Sequence, residues 1–77
     1  MDVRKRVGLN LGRLREAKQL TQEELAHRAD IHQTYLSGVE GGKRNPSILV
    51  LERIATALES DVSVFFERPG RAKRPTR

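Results

Sequence analysis

Residues 21–40 read Thr21-Gln22-Glu23-Glu24-Leu25-Ala26-His27-Arg28-Ala29-Asp30-Ile31-His32-Gln33-Thr34-Tyr35-Leu36-Ser37-Gly38-Val39-Glu40. Thr21 and Glu24 have the spacing of a capping box: the threonine hydroxyl accepts from the Glu24 amide, and the glutamate carboxylate accepts from the Thr21 amide. A short helix follows, with Leu25, Ala26 and Ala29 on its buried side, ending near Asp30. A second short helix is expected from about His32 to Glu40, with Ile31, Tyr35, Leu36 and Val39 as its apolar positions. Gly41-Gly42 ends it, because glycine takes the left-handed C-terminal conformation at little cost. Two helices joined by so tight a turn must cross steeply. Ala26 and Ala29 are small enough for that approach. Such a unit can lay its second helix in the major groove of DNA while its first spans the backbone.

The non-core positions of the second helix suit that task. Gln33 offers a carboxamide that can bond bidentately to adenine, and Thr34 offers a hydroxyl and a methyl suited to thymine. Ser37 lies one turn on, and Gly38 leaves room for the groove wall. Gln22 begins the preceding helix, where a side chain and helix-end amides can hold a phosphate. His32 at the helix start and Lys43, Arg44 and Asn45 beyond its end are further candidates for the DNA backbone. Taken singly, each has a plainer reading. Polar residues on a helix usually form a solvated face, His27 reads as a surface residue, and Leu36 and Val39 read as core. The order of capped helix, tight turn, polar helix, diglycine stop and basic loop is less common than its parts.

Outward from this stretch the chain stays helical. Val3, Val7, Leu11 and Leu14, continued by Ala17, form one stripe of an amphipathic first helix. Gly8 and Gly12 weaken it by about 1 kcal/mol each relative to alanine, and two glycines four apart suit close backbone approach. After the loop Lys43-Arg44-Asn45-Pro46, Ser47 caps a fourth helix through Leu58, whose core stripe is Ile48, Leu51, Ile54, Ala55 and Leu58. Asp61 caps a last short helix carrying Val62, Phe65 and Phe66. The expected fold is all-α, five short helices over residues 1–67, followed by a basic, disordered tail over residues 68–77.

Composition narrows the class. Seventy-seven residues make one small domain, and the absence of cysteine excludes disulfides and thiolate metal sites. Two histidines are too few for a structural zinc site without carboxylates, so no metal and no cofactor are expected. No apolar run approaches membrane-spanning length and no secretory signal follows the basic start, so a cytoplasmic protein is expected. The net charge of +5 suggests a polyanionic partner. That excess sits at the ends: residues 21–67 carry four basic and eight acidic groups, and residues 68–77 carry five basic groups and no acid. Tyr35, Phe65 and Phe66, the only aromatics, read as core, which leaves no stacking platform for single-stranded RNA. Enzyme chemistry is not expected: there is no phosphate loop, and Ser37 with His32 lacks a carboxylate partner in a protected cleft. No small-molecule substrate is evident either.

The segment Leu11 to Phe66 resembles the Cro/CI-type, or XRE, helix-turn-helix family, and so the lambda-repressor-like fold. The resemblance is carried by LGRLREAKQLTQEELA at 11–26, TYLSGVE at 34–40, GKRNPS at 42–47 and SDVSVFFE at 60–67. It implies a five-helix DNA-binding domain with Gln22 on phosphate and Gln33, Thr34 and Ser37 facing base edges. It also implies an ion pair between Arg15 and Glu40. The TYLSGVE and FFE pieces look particularly like restriction–modification controller proteins, which are dimeric regulators of similar size. Three positions depart from the family pattern. Asp30 replaces the usual turn glycine, at some cost, since aspartate visits the left-handed region more readily than most residues. His32 stands where Ser or Thr is common, and Gly41 where arginine or asparagine is.

The leading expectation is a sequence-specific transcriptional regulator that binds double-stranded DNA, at a palindromic operator, as a homodimer. The alternative is an antitoxin or adaptor whose main partner is a protein. Leu49 and Val50 on the fourth helix, and Val64 on the fifth, are apolar residues left over from the core stripes, which suggests an interface. With Arg53, they are the expected dimer contacts, as the resemblance places helices four and five against the partner.

Overall fold

A computed structural model describes residues 2–68 of the chain. They fold as α1 (Val3–Ala17), α2 (Gln22–Ala29), α3 (Gln33–Glu40), α4 (Ile48–Ala57) and a closing 3-10 helix (Val62–Phe66). The fifth helix expected from the sequence is thus a single 3-10 segment, short enough for that tighter winding. Beyond Arg68, the expected disordered tail lies outside the described residues.

Every helix except α3 begins where a side chain covers an otherwise unpaired amide. Asp2 accepts from the Arg4 amide at 2.7 Å, and Ser47 Oγ accepts from the Val50 amide at 3.1 Å. Asp61 does the same for Ser63 at 2.9 Å. The capping box of α2 is complete, with Thr21 Oγ1 accepting from Glu24 at 3.0 Å and Glu24 Oε1 accepting from the Thr21 amide at 2.8 Å. The chain turns out of its helices through left-handed residues: Gln19, Asp30, Glu59 and Gly42 all have φ near +60 to +76°.

Val7 and Leu11 from α1, Leu25 from α2, Leu36 and Val39 from α3, Leu51, Ile54 and Leu58 from α4, and Phe65 from the 3-10 helix form one core. The 3-10 helix and α3 pack on α1, and α4 packs under α2. Gly8 is where α1 meets the end of α3: a Cβ there would fall inside the contact distance of the main-chain oxygens of Val39 and Glu40. Asn10 fastens the closing segment, its Nδ2 donating to the carbonyls of Phe65 at 2.9 Å and Glu67 at 2.7 Å.

Four residues assigned to core stripes lie at the surface. Val3 is 54%, Ile48 74% and Phe66 42% exposed, and Ala17 is exposed too. All four are terminal residues of their elements. The stripe continues in sequence, but the body of the fold ends before it does.

Candidate nucleic-acid interface

The turn between α2 and α3 consists of Asp30, Ile31 and His32. Asp30 takes the left-handed conformation, φ 61° and ψ 47°, that the tight crossing demands. The Ile31 amide closes the turn on the Ala26 carbonyl at 3.0 Å. Arg53 of α4 reaches over it: its Nη2 donates to the Asp30 carbonyl at 2.6 Å and lies 3.5 Å from the Asp30 carboxylate. Nothing in the sequence announces this brace, since it joins residues 23 apart with no periodic pattern.

On α3, Leu36 and Val39 are buried, and Gln33, Thr34 and Ser37 are exposed. The three polar groups share the face turned away from the core. His32 holds the N-cap position in extended backbone but makes no side-chain capping bond. The imidazole is exposed.

Lys43, Arg44 and Asn45 are exposed beyond the end of α3. Arg44 folds back onto that helix, its guanidinium carbon 5.8 Å from the centre of the Tyr35 ring, within cation–π range. Its aliphatic stem lies over Gly38, where a Cβ would come within 2.7 Å of Arg44 Cγ. The space left by Gly38, expected from the sequence to admit a groove wall, is taken in the free chain by the Arg44 stem.

Beneath this surface Arg15 and Glu40 meet. Arg15 donates to Glu40 through Nε at 2.7 Å and Nη2 at 3.1 Å, and through Nη1 to the Leu20 carbonyl at 2.8 Å. The two side chains are only 13% and 10% exposed. The hydrogen bonds to Glu40 raise the Arg15 pKa above its already high ordinary value, so the guanidinium stays charged. Gln22 joins the pair, its Nε2 donating to Glu40 Oε1 at 3.0 Å. Gln22 is thus half-buried and already engaged, not the free surface amide that its place at the start of α2 suggests. The sequence carries no separate signal for this bond.

The expected dimer residues are not alike. Leu49 is 71% exposed, whereas Val50 and Val64 are half-buried and packed against the core. Arg53 is partly occupied by Asp30. Ile48 and Phe66 line a shallow groove with Val3 and Pro46 beside them. Among the described residues no cluster of His, Asp or Glu is placed to hold a metal ion, and no helix is long and apolar enough to cross a membrane.

A small helical body that presents one short, polar-faced helix across a tight turn from its capped predecessor is a DNA-binding helix-turn-helix domain. The chain belongs to the helix-turn-helix family of the Cro/CI, or XRE, type, whose family model matches residues 11–65; it is a transcriptional regulator of that class. It is 52% identical over 58 residues to the HTH-type transcriptional regulator y4dJ of Sinorhizobium fredii, covering 75% of each chain. It is 41% identical over 66 residues to the control protein C.MunI of a Mycoplasma species, covering 84% of this chain and 89% of that one. Its fold is similar to that of the restriction–modification controller protein C.AhdI from Aeromonas hydrophila, with a TM-score of 0.80 at 38% identity, over 82% of this chain and 96% of that one. It is also similar to the controller protein C.Esp1396I, solved as a tetramer with its natural 35 base-pair operator. That match has a TM-score of 0.78 at 36% identity, over 86% of this chain and 87% of that one.

Proposed function

We propose that the chain works as a homodimer on a palindromic operator, in the manner of a restriction–modification controller that governs its own promoter. One observation carries the reading: Gln33, Thr34 and Ser37 stand together on the exposed face of α3, with Lys43, Arg44 and Asn45 exposed at its far end. On this reading the three α3 side chains contact base edges. Gln22, His32, Lys43, Arg44 and Asn45 contact the backbone and set the register, since phosphate contacts position a protein and base contacts specify its site. The likeness to C.Esp1396I, which was solved on its operator, supports operator binding as such.

The dimer is assigned to the start of α4 and the closing helix, through Leu49, Val50, Arg53 and Val64. Ile48 and Phe66, exposed together in the groove beside Val3 and Pro46, are further apolar candidates for the contact. Large exposed apolar side chains clustered on so small a domain favour a protein interface. The chain is a cytoplasmic binding protein on this account and catalyses no reaction.

Selection of bound sequences from random duplex DNA tests the reading. The expected product is an inverted repeat whose half-sites lie about one helical turn apart, as a two-fold dimer presents both reading helices to one side of the duplex. Recovery of single, unrepeated sites, together with a monomer in sedimentation at tens of micromolar protein, would overturn the dimeric part. Recovery of no preferred sequence would overturn the whole.

A further inference from the structure

Gln22, the first residue of α2, donates one Nε2 proton to Glu40 Oε1 at 3.0 Å. Glu40 is the last residue of α3, and its carboxylate also accepts two of the three Arg15 hydrogen bonds. We propose that Glu40 is a positioning residue for DNA binding: it anchors the Gln22 carboxamide so that the second Nε2 proton is held ready for a DNA phosphate. The proposal rests on the operator reading above.

Three features support it. A carboxamide is planar and carries two donor protons on one nitrogen, so holding one N–H on Glu40, with the stem tied to the start of α2, narrows the directions open to the other. A free glutamine would lose side-chain rotamer freedom on gripping a phosphate, and an ordered interface side chain of this kind costs binding free energy. Here that ordering is already done in the free chain. The anchor is also electrostatically suited. A bare carboxylate beside a phosphate would repel it, but the Glu40 charge is balanced by two hydrogen bonds from the Arg15 guanidinium. Gln22 can therefore be held by an acid without the acid opposing the DNA. The N-terminal end of α2 adds its own favourable field for an anion.

The arrangement also links the two helices of the motif. Glu40 ends the reading helix and Gln22 starts the preceding one. A phosphate held by Gln22 is thereby held at a fixed distance from the reading face.

The test uses the full chain labelled with nitrogen-15, free and with a selected duplex. In the free protein, one Gln22 Nε2 proton should exchange with water more slowly than either carboxamide proton of exposed Gln33. On adding DNA, the second Gln22 proton should slow while the first stays unchanged. Affinities of Gln22→Ala, Glu40→Gln and the double variant at fixed salt complete it. Loss of one hydrogen bond to a charged group should weaken binding about tenfold in Gln22→Ala; Glu40→Gln should weaken it when Gln22 is present and add no further loss to Gln22→Ala. Gln22 protons that exchange like those of Gln33 in the free chain would overturn the anchoring alone. Equal losses from Glu40→Gln with and without Gln22 would reduce Glu40 to a structural role. A wild type that prefers no duplex, with the slow Gln22 proton still present, would instead overturn the operator reading on which the proposal stands.

Discussion

Arg53 donates to the main-chain carbonyl of Asp30 at 2.6 Å, so a residue of α4 braces the left-handed turn between the two helices of the motif. The brace holds the carbonyl, which any residue at position 30 possesses. The carboxylate of Asp30 contributes little, because its contact with Arg53 is 3.5 Å long and its side chain is 99% exposed. Asp30→Gly should therefore remove backbone strain of about 1–2 kcal/mol and keep the brace, and after glycine's own entropic cost of about 0.5–1 kcal/mol it should raise stability by about 0.5–1 kcal/mol. Arg53→Ala should lower it by about 1 kcal/mol, the usual net value of one hydrogen bond. Thermal denaturation at two protein concentrations checks both. A lower Tm for Asp30→Gly would mean that the carboxylate contact outweighs the strain. The part of the Arg53→Ala effect that varies with concentration measures its proposed share in the dimer contact, and the part that does not measures the brace; no concentration-independent loss would contradict the brace.

Gly8 and Gly12 differ in kind although the sequence presents them alike. A side chain at position 8 would strike main-chain oxygens of α3, which cannot swing aside. At position 12 the nearest atom is Glu40 Oε1 at 3.4 Å. Gly8→Ala should cost about 1–3 kcal/mol or more through overpacking. Gly12→Ala should be neutral or gain up to about 1 kcal/mol from helix propensity. Urea denaturation of the two variants distinguishes them, and equal effects would contradict the close approach at Gly8.

Removal of Glu40 strands the Arg15 guanidinium in a site where its side chain is 13% exposed. Breaking such a pair typically costs about 3–5 kcal/mol when burial is deep, and the lower end applies where some solvent reaches the pair. Glu40→Ala should thus lower the Tm clearly, while Glu23→Ala, on the exposed face of α2, should leave it nearly unchanged. Similar small shifts from both would show that the Arg15–Glu40 contact carries no stability.

Acid should weaken the fold in part through its helix caps, which are solvent-exposed and so contribute modestly. Hydrogen bonds from the Arg4 side chain and amide pull the Asp2 pKa from the usual 3.8 down to about 2. Glu24 is lowered chiefly by the Thr21 amide, and Asp61 by its hydrogen bonds to Ser63. A carboxylate with a depressed folded-state pKa adds stability that is fully present above its unfolded value and lost as pH falls through the folded one. Stability should therefore be flat from pH 7 to about 5 and decline between about pH 4 and pH 2. Asp2→Asn should flatten part of that decline. A decline already complete well above about pH 4 would contradict the role of the caps.

The motif was legible because its signals are local. Thr21 with Glu24, the polar face of α3 and the diglycine stop each follow from spacing within a few residues. The braces were not legible, because Arg53 with Asp30, Gln22 with Glu40 and Asn10 with the Phe65 carbonyl join residues 23, 18 and 55 apart. Surface and core were confused only at element ends: Val3, Ile48 and Phe66 fit the periodicity, but no neighbouring element covers them. Arg44 was legible as a cation beyond α3, but its seat over Gly38 and Tyr35 depends on how the loop returns.

The central claim is that the exposed face of α3 reads base pairs while the cations beyond it grip the backbone. The most direct measurement is a binding-preference profile over every position of the selected site, at fixed salt, for wild type, Gln33→Ala and Arg44→Ala. Loss of one good base contact costs about 1–3 kcal/mol of discrimination. Gln33→Ala should relax the preference at one base pair in each half-site and leave the other positions intact. Arg44→Ala should weaken selected and random duplexes by similar factors. An unchanged profile for Gln33→Ala, with an altered one for Arg44→Ala, would contradict the assignment and move the reading from the helix to the loop.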